Sequence, residues 1–242
     1  MILFFTTRPA RHAPITALAS MLFILQATLL PARDVRAILI PGAGKASETA
    51  YLVGASASIK LELPQRNLSP PQELPEGDLM MAALEALPAD LTEIPQGTPM
   101  VKVPAAWEHC IMVFLPDPAN KVFPYQVFPL NISGASLPKG KTLVCNFSHT
   151  VLRLRFDKAM GVVTPGKTAT VEAPRRDFGP FPVMIECMVK GEVKPRVICS
   201  TMWQHDPEAR QILFAIPVEG NMVPRIWGVL DQQDPEAKPD PP

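Results

Sequence analysis

From residue 34 onward the strongest signal in the chain is alternation. Ser58-Ile59-Lys60-Leu61-Glu62-Leu63 sets Ile59, Leu61 and Leu63 on one face and Ser58, Lys60 and Glu62 on the other. That is the period of two expected of a half-buried strand. Residues 150–156 repeat it, with Leu152, Leu154 and Phe156 against Arg153 and Arg155 and one lapse at Val151. Residues 167–173 set Ala169, Val171 and Ala173 against Thr168, Thr170 and Glu172. One wet and one buried face is the pattern of antiparallel sheets. Further strands are predicted over 35–40, 79–84, 109–115, 122–130, 141–147, 182–189, 196–203, 212–216 and 225–230.

Turn chemistry falls between these segments. Residues 64–69, Pro75-Glu76-Gly77, Pro116-Asp117-Pro118, Pro138-Lys139-Gly140 and Thr164-Pro165-Gly166-Lys167 each interrupt the pattern. Pro165-Gly166 suits a type II turn, with glycine where φ must be positive. The 29 prolines against 13 glycines leave no room for long helices, because proline is confined to turns, strand starts and edges. The reading is all-β: an antiparallel β-sandwich of the Ig-like or Greek-key type, spanning 33–230.

Two similar halves are suggested by Asn67-Leu68-Ser69 ahead of Pro75-Glu76-Gly77, and by Asn146-Phe147-Ser148 ahead of Pro165-Gly166. Residues 85–99 are the least strand-like. They read as a surface excursion or a single helical turn, so a sub-division is expected near 85–105. Residues 231–242 hold only Asp, Gln, Glu, Lys, Pro and Ala and are expected to be a disordered tail.

The first residues carry a different message. Arg8, Arg11 and His12 precede an apolar run over 15–30, then Leu30-Pro31-Ala32 and the charges Arg33 and Asp34. A basic start, an apolar stretch and a small residue before a polar restart describe a secretory signal peptide over 1–32. Cleavage is expected after Ala32, with Ala37 the other site; an uncleaved anchor is the competing reading. Cys110 is the first cysteine, so no lipid-modified cysteine is expected. No later run is long enough to span a bilayer. A secreted or periplasmic protein is expected.

Lys+Arg and Asp+Glu both count 23, so the positive field that nucleic-acid binding relies on is missing. At 47% hydrophobic residues the chain has material for a packed core.

At Asn146-Phe147-Ser148, at Thr164-Pro165-Gly166-Lys167-Thr168 and at Trp203-Gln204-His205-Asp206-Pro207-Glu208-Ala209-Arg210 the chain resembles a group of secreted bacterial β-sandwich proteins. The resemblance covers roughly 122–218 and rests on turn chemistry. No activity is attached to that group, so it implies a fold and an exported location and no site residues.

Cys110, Cys145, Cys187 and Cys199 form an even set, which in an oxidising compartment suggests disulfides. A hairpin turning at Val193 would oppose Cys187 and Cys199 on one face, within bonding reach. By elimination the second bridge would be Cys110–Cys145. The alternative is four buried free thiols, since cysteine packs as a small hydrophobe.

Among constellations that carry chemistry, His109, Cys145, His149 and Met160 follow the His, Cys, His, Met order of a blue-copper site and resemble cupredoxins. Against it, residues 150–156 between His149 and Met160 look like a strand rather than a compact ligand loop. Pro41-Gly42-Ala43-Gly44-Lys45-Ala46-Ser47 is not a phosphate loop, because the glycine required at position 39 is Leu39. Beyond the leader the histidines are His109, His149 and His205, with no Gly-x-Ser-x-Gly elbow. Trp107, Trp203, Trp227, Tyr51 and Tyr125 are scattered, whereas a sugar-binding face wants an exposed row. Asn67, Asn131 and Asn146 fit the glycan-acceptor pattern.

The function expected is a non-catalytic interaction or structural module of an envelope or extracellular assembly, with no cofactor. A copper-binding electron-transfer protein and a carbohydrate-binding module are the alternatives.

Overall fold

The computed structural model describes residues 33–42, 47–55, 57–90, 93–172 and 177–232, and those residues belong to one compact unit. The predicted signal peptide, positions 43–46 of the glycine turn and positions 233–242 of the tail lie outside them. The described residues are all-β, with no helix. The first eight strands are β1 (Asp34–Leu39), β2 (Thr49–Val53), β3 (Ser58–Glu62), β4 (Gln72–Glu73), β5 (Leu79–Leu84), β6 (Met100–Val103), β7 (His109–Pro116) and β8 (Tyr125–Asn131). The second eight are β9 (Thr142–Asn146), β10 (Val151–Phe156), β11 (Ala159–Val163), β12 (Thr168–Val171), β13 (Gly179–Met188), β14 (Arg196–His205), β15 (Arg210–Val218) and β16 (Asn221–Asp231).

They build four four-stranded sheets: A (β4-β1-β7-β8), B (β3-β2-β5-β6), C (β12-β9-β15-β16) and D (β11-β10-β13-β14). Adding eight to each strand number converts A into C and B into D. The correspondence extends to two parallel pairs, β1 with β7 and β9 with β15, in sheets otherwise antiparallel. The two halves are therefore one topology used twice. They meet between Asn131 and Thr142, rather than near 85–105, since β5 and β6 on either side of 85–99 pair directly within sheet B. The turns that suggested a repeat are not equivalent: Asn67-Leu68-Ser69 lies between β3 and β4, whereas Asn146 ends β9.

Three cores stack the sheets in the order B–A–C–D. Leu39, Leu52, Leu61 and Phe114 lie between A and B. Ile38, Ile111, Val113, Cys145 and Phe214 lie between A and C. Val144, Leu154, Ile185 and Leu213 lie between C and D. Sheets A and C are thus covered on both faces. This is why β1, β7, β9 and β15 are buried along most of their length while β3 and β10 alternate. The Thr164–Lys167 turn closes with Lys167 N–H donating to Thr164 O at 3.2 Å and Gly166 at φ 70°, in line with its type II chemistry.

Candidate functional site

Among the described residues, Asp34, Arg36, His109, Arg210 and Asp231 bring charge together where sheets A and C meet. In the parallel β1–β7 pair Asp34 lies opposite His109, and Asp34 Oδ2 is 2.6 Å from His109 Nδ1. That carboxylate contact raises the His109 pKa, outweighing the opposing effects of burial and of the Arg210 charge. Two positions along β1, Arg36 Nη1 donates to Asp231 Oδ1 at 2.7 Å, and its Nε donates to Ser69 O at 2.9 Å. Arg210 Nη1 reaches Asp231 Oδ2 at 3.4 Å and Ile132 O at 3.3 Å. Asp231 is buried and ends β16, so the part of the predicted tail at Asp231 is ordered strand. The triad joins sheet A to sheet C as a structural clamp.

The four residues of the copper reading are dispersed. His109 is committed to Asp34. Cys145 points into the A–C core, where burial pushes its thiol up to about 12 and so disfavours the thiolate that binds metal. His149 is exposed after β9, and Met160 projects from sheet D into solvent. The C–D core and two sheets separate Met160 from the side chain of Cys145. Among the described residues no group of three or more His, Cys, Asp or Glu could hold a metal.

The disulfide expectation is also corrected: all four cysteines are free. In the β13–β14 ladder Cys187 opposes Arg196 and Cys199 opposes Ile185, with an irregularity at Ile185/Glu186. The hairpin is therefore offset from the predicted one. Cys110 belongs to the A–B core and Cys145 to the A–C core, on opposite sides of sheet A. Burial holds the Cys110 thiol up at about 12.

Other candidates are structural. Asn146 is 1% exposed. Its Nδ2 donates to Thr150 O at 2.8 Å and Val163 O at 2.9 Å, and its Oδ1 accepts from Ser148 N at 3.0 Å. It ties the end of β9 to β10 and β11 and is closed to a glycan. Tyr125 is buried, Trp203 packs edge-on against Phe156, and Trp107 and Trp227 lean on the cores. They form no exposed row. His205 packs edge-on against Phe181.

The outer face of sheet D is different in kind. Met160 is 76% exposed, Val162 63%, Met202 57% and Val197 55%. Strand register sets Arg155 between Met160 and Met184, and Arg153 between Val162 and Glu186. Arg155 Nη2 lies 3.4 Å from Met184 Sδ. Two adjoining depressions share Arg155 and Met184. One of about 470 Å³ runs towards Arg153, Met160 and Glu186, and one of about 430 Å³ towards Pro182, Ser200 and Met202. The sequence marks Arg153 and Arg155 as a wet face. It carries no signal that exposed apolar residues from β11 and β14 flank them, because those neighbours are fixed by pairing between strands. No family model matches this chain, and no curated protein is similar enough in sequence to count as its relative.

Proposed function

We propose that this chain is an exported, non-catalytic interaction module of an envelope or extracellular assembly, and that it presents the outer face of sheet D to a partner protein. The carrying observation is that face: four apolar side chains more than half exposed on one sheet, interleaved with arginines and hollowed into two adjoining depressions. Contiguous exposed apolar surface on a folded protein marks an interaction site. Sheet D is backed by the C–D core, so a partner meets a preformed backbone and only the exposed side chains are ordered on binding.

The test places a photo-crosslinking residue at Met160 and, as control, at Lys60 on β3 of sheet B, in the producing cell. Adducts of one mass-identified protein are expected from position 160, lost on Met202→Lys and Val162→Lys. Equal labelling from position 60, or adducts insensitive to those substitutions, overturns the reading.

A further inference from the structure

Sheet D carries two arginines that hold no carboxylate among the described residues. Arg36, Arg196 and Arg210 each hold a carboxylate. Arg153 and Arg155 are exposed on β10 and have no carboxylate within ion-pair distance among the described residues. Glu186 stands opposite Arg153 in register without closing a pair. The two arginines are alternate residues of one strand and so share a face, about 6.7 Å apart along it. An extended chain repeats its same-face side chains at that same interval.

We infer that the partner engages sheet D through an extended acidic segment, whose carboxylates at positions two apart meet Arg153 and Arg155 while an apolar side chain beyond them enters the Pro182–Met202 depression. The inference rests on the interaction reading above and adds the chemistry of the partner. Charge complementarity selects an acidic occupant. The face offers two unpaired guanidiniums against one carboxylate, and a planar guanidinium is built to take a carboxylate in two-point contact. The apolar surroundings decide the flanks of the segment. Met160 and Val162 lie to one side of the arginines, and Met184, Pro182 and Met202 to the other. Methionines give an adaptable apolar surface. Partial shielding of the ion pairs by those side chains strengthens them relative to fully solvated ones. The second depression adjoins Arg155 itself and opens beside it towards β13 and β14, where Pro182 opposes Met202.

The experiment is titration of the ¹⁵N-labelled chain with the blocked peptide Ser-Leu-Thr-Glu-Thr-Asp-Thr-Leu-Ser, up to millimolar concentration. A second peptide of the same composition has Glu and Asp adjacent, and so on opposite faces. Amide shift changes confined to β10, β11, β13 and β14 are expected with the first peptide. Binding weaker by roughly tenfold is expected for the second peptide, and likewise for Arg155→Glu and Arg153→Glu, because reversing a charge places like charges together. Raising salt so that the screening length falls to about 3 Å should weaken it further. These substitutions are on the solvent face, and unchanged thermal melting confirms that the variants fold. No shift changes on sheet D, equal binding of the two peptides, or self-association of the chain through this face overturns the inference. If crosslinking from position 160 still identifies a partner while the acidic peptide fails, the acidic-segment inference is lost and the interaction reading stands. Failure of both removes both.

Discussion

Arg36 on β1 and Asp231 at the end of β16 lie 195 residues apart in sequence and 2.7 Å apart in space. The bond joins the first described strand of one sandwich to the last described strand of the other. Arg210 shares the same carboxylate, so the seam between sheets A and C contains a cation–anion–cation row with side chains less than a tenth exposed.

Removing the anion from that row should be severe. Asp231→Ala leaves two buried guanidiniums facing each other, and a broken buried pair of this kind costs about 3–5 kcal/mol. Replacing all three charges with apolar residues of similar volume should cost much less, because their burial is itself unfavourable. Urea denaturation of the single and triple variants distinguishes these outcomes. A single variant as stable as wild type would mean that the row contributes nothing.

The Asp34–His109 contact predicts a pH dependence with a definite sign. The folded-state pKa of His109 lies above its ordinary 6.5, so the contribution is complete below that value and is lost as pH rises through the raised one. Stability should therefore decline from about pH 6.5 upward. His109→Gln should remove that decline. Urea midpoints for both proteins at pH 5.5 and pH 8.5 (values chosen on either side of the ordinary pKa) check it; parallel pH dependence would refute the assignment.

Thiol reactivity should divide the cysteines. Cys110 and Cys145 are fully buried with thiols pushed up to about 12, and Cys199 is half-buried at an edge strand. Iodoacetamide at pH 8 should label Cys199 first and leave Cys110 and Cys145 untouched until the chain is unfolded. Denaturation without reductant should then bring the total to four alkylated thiols. A mass two hydrogens below the reduced chain would instead place a bridge, and with it a different β14 register.

The two expected cleavage sites have opposite structural consequences. Arg33 donates to the carbonyls of Trp107, Pro75, Gly77 and Pro104 at 2.6–2.9 Å, and Val35 and Ala37 are fully buried in β1. A chain starting at Arg33 keeps all of these contacts. A chain starting at Ile38 loses the buried Val35 and Ala37 side chains and Arg36 with them. The chain from Arg33 should melt cooperatively, and the chain from Ile38 should not fold. Export followed by N-terminal sequencing should return Arg33.

Local rules carried much of the fold. Alternation is a property of neighbouring residues, so β3, β10 and β12 are legible, and so are turns such as Thr164–Lys167. Four strands are missed for local reasons: β4 has two residues and β6 four, β11 exposes Met160 around Gly161, and β2 carries Tyr51 where alternation calls for a polar residue. The apolar runs of β1, β7, β9 and β15 are legible as strands. Their meaning is not, because a mostly apolar run does not say what covers its second face.

By itself, then, the sequence determined the all-β class, most strand positions and the turn chemistry, all set by backbone sterics and by which side of a strand meets water. Tertiary structure alone decided the rest. Parallel pairing of β1 with β7 brought Asp34 to His109, and stacking of A on C brought Asp231 to Arg36. The β13–β14 register parted Cys187 from Cys199. Pairing of β10 with β11 and β13 set Arg155 between Met160 and Met184. Each of these is a contact between segments distant along the chain, chosen by the packing of whole sheets against one another, and no periodicity within a strand encodes which strand will lie beside it.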